Sequence, residues 1–180
     1  MKAKLATCLL LSIGWMSGCS TVYDVRYDYD KHTDFHELKT YDWMPAPDEL
    51  DMDDLVLERI KNATDAELAA KGLVKAPSAP DFHVVPHVSA QEKIEVNNWG
   101  YRYGPYDMYG GTFWGPGGVP TYSYEEGTLV LDFVDTKTKQ LIWRGSANAE
   151  IDTVDSPEES WKIIKQAVQE ILKKFPPPQK

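Results

Sequence analysis

The C-terminal part of the sequence contains the clearest apolar repeat in the chain. Ser156, Pro157 and Glu159 supply an N-cap, a first-turn proline and a glutamate at the third helical position, the pattern of a capping box. Apolar side chains then recur at steps of three and four, at Trp161, Ile164, Val168, Ile171, Leu172 and Phe175, before Pro176 ends the pattern. A helix with one apolar stripe has to be covered by another element, so the rest of the chain must supply an apolar surface.

Extended segments elsewhere in the sequence predict strands, whose apolar faces can cover this helix. Tyrosine and valine alternate with charged residues in the first of them, which predicts a strand whose buried face carries Tyr23, Val25, Tyr27 and Tyr29. Residues 39–44 and 82–88 predict further strands, with Pro86 placing the second of these at an edge or a bend. Residues 128–134 and 140–149 predict a hairpin joined by a polar turn.

A second helix is predicted over residues 51–71. Its apolar stripe contains Leu57, Ile60, Thr64 and Leu68, and Gly72 follows as the left-handed residue that commonly ends a helix. Two helices among several strands predict an α+β fold, a two-layer sandwich in which both helices cover one face of a mostly antiparallel sheet. Within the predicted hairpin, Arg144 is expected to form an ion pair with a nearby aspartate such as Asp132.

The N-terminal residues have the pattern of an export signal. Lys2 and Lys4 precede a stretch without charge, residues 5–16, which is too short for a membrane span of about 20 residues. The next residues, Met16-Ser17-Gly18-Cys19, resemble the lipobox of bacterial lipoproteins, in which the cysteine is acylated and the signal is removed before it. The resemblance implies a signal peptide over 1–18, a lipid on Cys19 and a single periplasmic domain over 19–180.

The same resemblance implies where the protein resides. Ser20, rather than aspartate, follows the cysteine, and by the lipoprotein sorting pattern this implies anchoring to the outer membrane on its periplasmic side. The first predicted strand begins a few residues after Cys19, so we expect the domain to lie close to the membrane. Acylation of Cys19 and loss of Cys8 would leave the mature chain without a free thiol or a disulfide.

Composition and motifs exclude several classes of function. The formal net charge of −9 and the lack of a basic block argue against a nucleic-acid partner. No serine elbow or glycine-rich phosphate loop is present, and we predict no catalytic residue, cofactor or metal. The acidic and histidine-rich stretch over 28–36 does not match an EF-hand, because Thr33 and Lys39 occupy positions that need glycine and glutamate. His83 and His87 lie too far apart in an extended segment to share one ion.

The most unusual feature is a predicted loop over about residues 97–126. From Trp99 to Tyr124 it contains nine of the 21 aromatic residues of the chain, interleaved with seven glycines and three prolines. One interpretation is a surface that binds an envelope protein or a glycan, with the possible contact residues Trp99, Tyr101, Tyr103, Tyr106, Tyr109, Phe113 and Trp114. The alternatives are that these side chains fold back over the sheet, or that the loop is disordered.

The order of several short segments resembles the bacterial lipoprotein family known as domain of unknown function 4136. The matching segments are Asp34-Phe35 and residues 39–45, 68–73, 80–84, 127–132, 141–145 and 175–177. The resemblance implies a cell-envelope lipoprotein without an assigned reaction. We therefore expect a membrane-anchored binding or scaffolding module that is not an enzyme. The alternative is an envelope glycan hydrolase that uses carboxylates beside the aromatic loop, namely Glu92, Glu95, Glu125 or Glu126.

Overall fold

The computed structural model describes residues 22–44, 53–96, 121–152 and 154–178, with only the backbone described for 94–96, 121 and 122. The described chain contains six strands, β1 (Val22–Tyr29), β2 (Thr40–Trp43), β3 (Val74–Lys75), β4 (Phe82–Val96), β5 (Thr121–Asp135) and β6 (Leu141–Glu150). Its two helices are α1 (Asp54–Ala70) and α2 (Pro157–Leu172). Cys19, the predicted signal peptide and the seven possible contact residues lie outside the described residues.

The strands form one sheet in the order β1-β6-β5-β4-β2-β3. β1, β6, β5 and β4 pair antiparallel, whereas β2 pairs parallel with both β4 and β3. Alternate residues of β5, among them Leu131 and Phe133, are buried in one core with Val168 and Ile171 of α2. The predicted two-layer α+β sandwich, with a mostly antiparallel sheet and helices on one face, is confirmed.

Both helices begin with side-chain caps. The Asp53 carboxylate accepts hydrogen bonds from the backbone N–H groups of Leu55 and Val56, so α1 begins later than the predicted residue 51. The Ser156 hydroxyl accepts from the Glu159 N–H at 3.2 Å. The Glu159 carboxylate accepts from the N–H of Asp155, one residue before the position that a capping box normally uses.

The helix stripes agree with the sequence pattern except near their N-terminal ends. Ile60, Thr64 and Leu68 of α1 are buried, and Gly72 has the predicted left-handed conformation with φ of +84°. Trp161 in the first turns of α2 is 38% exposed, because the buried face of that helix is formed by its C-terminal half.

The prediction that Tyr23 lies on the buried face of β1 is wrong. The pairing of β1 with β6 shifts register between Tyr23 and Arg26, and Asp24 lies within this bulge at φ of +50°. An extra residue in one strand moves the preceding side chains to the opposite face. Val22 is therefore buried in the core, whereas Tyr23 lies on the outer face of the sheet, the face opposite the helices.

A cluster of aromatic rings fills the centre of the core. Phe175, which follows the end of α2, lies 4.8 Å from Phe133 and 5.4 Å from Trp143 between ring centroids. It also contacts the rings of Phe35 and Phe82. The segment after the helix thus contributes the ring that joins β4, β5, β6 and the loop after β1.

Candidate functional site

The hairpin formed by β4 and β5 extends beyond the rest of the sheet. β5 pairs with β6 only as far as Glu126, and β2 pairs with β4 only from Phe82 to Val84. The last five residue pairs, from Glu92 with Glu125 to Val96 with Thr121, are made by β4 and β5 alone among the described strands. Residues 92–96 and 121–125, here called the arm, therefore project about 17 Å at a rise of about 3.4 Å per residue.

The arm corrects the predicted extent of the aromatic loop. Residues 121–126, assigned from the sequence to a loop over about 97–126, form the first part of β5. Because Val96 pairs with Thr121, residues 97–120 leave and re-enter the structure at the tip of the arm. These residues, here called the aromatic segment, contain all seven possible contact residues. The structure thus brings the ends of the segment together, and the segment itself lies outside the described residues.

Glu126 lies at the base of the arm on the outer face of the sheet. The Tyr23 hydroxyl donates to its carboxylate at 2.8 Å, and the Lys93 ammonium lies 3.3 Å away. The hydrogen bond from Tyr23 lowers the pKa of Glu126, and Lys93 and Asn148 act in the same direction. Burial, followed by the hydrogen bond to Glu126, raises the pKa of Tyr23. At neutral pH the pair therefore consists of a carboxylate and a protonated phenol.

The other carboxylates near the loop do not converge on Glu126. Glu92 and Glu125 are opposite each other in the register, exposed, and on the face opposite to that of Glu126 because side chains alternate along a strand. The side chain of Glu95 lies outside the described residues. A general acid in glycoside hydrolysis needs a raised pKa. The lowered pKa of Glu126 suits an ion-pair partner that holds β1, β4 and β5 together.

The predicted ion pair between Arg144 and Asp132 is present on the same outer face. Arg144 Nε lies 2.6 Å from Asp132 Oδ1, and Nη2 lies 2.5 Å from Oδ2. The hydrogen bond to Asp132 raises the pKa of Arg144. His87 Nε2 lies 3.2 Å from the same carboxylate, so one buried aspartate joins β4, β5 and β6.

The acidic and histidine-rich stretch after β1 forms turns. The Asp30 carboxylate accepts from the backbone N–H of His32, and that of Asp34 accepts from the N–H of His36. Such contacts are typical of Asp in turns. Across the described ranges, no three His, Cys, Asp or Glu side chains are grouped so that they could hold a metal ion.

An apolar cavity of about 250 Å³ opens between the helices and the inner face of the sheet. The two helices contribute Val56, Ile60, Ser160, Ile163, Ile164 and Ala167, and the strands and the following loop contribute Val88, Ser89, Ala90, Gly127, Thr128, Leu129, Ala147, Ala149, Ile151 and Val154. Ala90, Gly127 and Ala149 are cross-strand neighbours, and Ala149 is paired with Val22. The cavity therefore lies at the end of the sheet from which the arm projects and at which the described chain begins.

Sequence reasoning missed this cavity. The available signal was the row of Ala and Gly at inner-face positions of three strands, where large apolar side chains are usual. Its recognition needs the register that places Ala90, Gly127 and Ala149 side by side. In the part of the chain that the structure describes, neither helix is long and apolar enough to cross a membrane.

A family model matches most of the chain. The family described as domain of unknown function DUF4136 matches residues 25–177. The chain belongs to the DUF4136 family. The match includes the whole described sheet except the start of β1, together with both helices and the aromatic segment. No curated protein is significantly similar to the chain in sequence.

Solved structures resemble the chain at low sequence identity. A PDZ domain protein from Parabacteroides distasonis aligns over 88% of this chain with a TM-score of 0.58 and 12% identity. The chain spans only 36% of that protein. Two structures of the PelC dodecamer from Paraburkholderia phytofirmans align over 83% of the chain, with TM-scores of 0.44 and 0.43 and 10% identity. The first similarity supports the fold alone.

Proposed function

We propose that this DUF4136 protein is a lipoprotein that binds or scaffolds a partner on the periplasmic side of the outer membrane. In this proposal Cys19 carries the lipid, and the membrane is one partner. The aromatic segment at the tip of the arm binds the other, an envelope protein or a glycan. No cofactor and no chemical step are part of the proposal.

The arm is the observation that best supports the proposed binding role. Five residue pairs of β4 and β5 extend past β6, and the aromatic segment connects their ends. Aromatic side chains supply large apolar faces with polar edges and dominate the affinity of many interfaces. Because residues 97–120 connect Val96 to Thr121, the aromatic segment is attached to the part of the sheet that projects beyond β6.

The anchor is supported by the N-terminal sequence and by the position of β1. The motif Met16-Ser17-Gly18-Cys19 follows a short apolar stretch, and β1 begins at Val22, three residues after Cys19. Stable anchoring needs two or more acyl chains, which a triacylated cysteine supplies. Replacement of Cys19 by Ala should move the protein from the membrane fraction to the soluble fraction. A variant that still sediments with membranes contradicts the anchor.

The binding role is tested separately by crosslinking in the envelope. A photoreactive amino acid placed at Tyr106 should capture a specific partner, and the yield should fall when Trp99 and Trp114 are replaced by Ala. Replacement of the exposed Trp161 by Ala is the control, because it removes a tryptophan from a helix instead. An unchanged yield in the Trp99 and Trp114 variant contradicts a binding role for the aromatic segment.

A glycan hydrolase is the second candidate, because Glu92 and Glu125 are cross-strand neighbours on the arm. Peptidoglycan fragments incubated with the purified protein should then be cleaved, and Glu125→Gln should abolish the cleavage. Glu150→Gln, at the end of β6, is the matched control. Binding of fragments without cleavage supports the binding module.

A further inference from the structure

The apolar cavity lies at the end of the sheet to which the proposed lipid anchor is attached. Val22, the first residue of β1, is paired with Ala149, and Ala149 lines the cavity. Cys19 is three positions before Val22, a span of at most about 10 Å. The lipid-bearing residue is therefore held within reach of the cavity.

The chemistry of the lining selects an apolar occupant. None of the residues that line the cavity is charged, and the polar ones, Ser89, Thr128 and Ser160, carry only hydroxyl groups. A cavity of about 150 Å³ lined by apolar side chains already binds benzene. The present volume of about 250 Å³ suits a length of hydrocarbon chain, whereas a sugar or an ion would lose its hydrogen bonds to water there.

Distance along the chain favours the acyl chains over the aromatic segment as the occupant of the cavity. That segment begins at residue 97, seven residues beyond Ala90, so about 24 Å of extended strand separates it from the cavity. The acyl chains begin on a residue that is three positions from the paired Val22. A tether this short gives the attached group an effective concentration in the millimolar range.

We propose that the cavity holds part of one acyl chain of the lipid on Cys19 of the same molecule. This inference rests on the proposed lipid anchor. The remaining acyl chains of a triacylated cysteine stay in the bilayer, and two chains are enough for stable anchoring. Occupation of the cavity limits how far the start of β1 can move from the anchor.

Photocrosslinking of the native lipoprotein tests this inference. Cells are grown with a palmitate analogue that carries a diazirine near its end, and the full-length protein is irradiated in its membrane and digested. We expect adducts within the same molecule, on peptides that contain Ala147 and Ala149 or Ile163 and Ile164. The protein should remain a monomer on a denaturing gel.

A matched pair of variants measures the contribution of the cavity. Ala90→Phe places a ring at the mouth of the cavity, whereas Ala70→Phe places the same ring on the exposed C-terminal end of α1. Because a side chain that fills a cavity excludes other occupants, Ala90→Phe should lower the yield of internal adducts about fivefold or more, and Ala70→Phe should not. If Ala90→Phe fails to fold, the adduct map of the unaltered protein decides alone.

The outcomes separate the inference from the proposed function. The intact mass is measured first, and a mature chain without lipid on Cys19 contradicts the anchor itself. A lipidated chain whose adducts lie only on phospholipid, on residues 97–120 or on a second copy overturns the cavity inference and leaves the anchor in place.

Discussion

Phe175 should contribute more to stability than its position after the last helix suggests. The ring is 3% exposed and lies against Phe35, Phe82, Phe133 and Trp143, with centroid distances from 4.8 to 6.2 Å. Replacement of a buried Phe by Ala removes apolar burial and leaves a cavity, at a cost of about 3–5 kcal/mol. Aromatic pairs contribute about 0.5–1.5 kcal/mol each, and the loss of several pairs places the expected cost in the upper part of this range. We therefore expect Phe175→Ala to destabilise the domain by about 4–5 kcal/mol.

Urea unfolding followed by circular dichroism measures this effect. For a slope of about 2 kcal/mol per molar urea, a loss of about 4 kcal/mol lowers the midpoint by about 2 M. Phe175→Leu keeps most of the volume and should cost about 1–2 kcal/mol, because mainly the aromatic pairs are lost. Leu55→Ala, at a side chain that is 60% exposed, is the surface control and should change the midpoint little. A loss below about 1 kcal/mol for Phe175→Ala would refute the central position of this ring in the core.

Three further predictions concern stability. Gly145→Ala should cost about 1–3 kcal/mol in the same assay, because a Cβ atom there would clash with the Trp143 ring and would lie 2.6 Å from a methyl carbon of Ile171. An unchanged midpoint contradicts the close packing of Trp143 and α2 over this position. Arg144→Met should cost about 1–2 kcal/mol, because Asp132 loses two charge-assisted hydrogen bonds, and the loss should shrink in a double variant that also carries Asp132→Leu. Burial acts to raise the pKa of Asp81, but hydrogen bonds from the main chain of residues 39 and 40 outweigh it and lower the pKa below the ordinary 3.8. The folded state therefore binds fewer protons than the unfolded state in acid, so stability should fall as the pH drops from about 5 through 3.8, and Asp81→Asn should make this fall smaller.

Local sequence patterns predicted the features that depend on neighbouring residues. The cap at Ser156 and the left-handed Gly72 were predictable because each feature is decided within one or two helical turns. The pair of Arg144 with Asp132 was predictable because a short turn joins their strands. The two-layer architecture followed from the same patterns, because both helices needed an apolar sheet to cover.

Features that depend on distant pairing were not predictable. The face of Tyr23 depends on a bulge that forms only against β6. The first part of β5 was assigned to a loop, because it continues the aromatic and glycine-rich stretch before it and because a glycine such as Gly127 usually weakens a strand. In the structure Gly127 instead allows Ile151 to approach the strand closely. The lining of the cavity depends on the register of three strands, which no single segment specifies.

The pairing of β1 with β6 sets an order for folding. The first described strand has no neighbour in the sheet until residues 141–150 have been made, and the aromatic cluster lacks its central ring until Phe175 follows. During synthesis the early part of such a chain remains unable to complete a core. If the chain is exported as proposed, this delay keeps it unfolded, and therefore able to pass through a translocation pore, until most of the chain has been made.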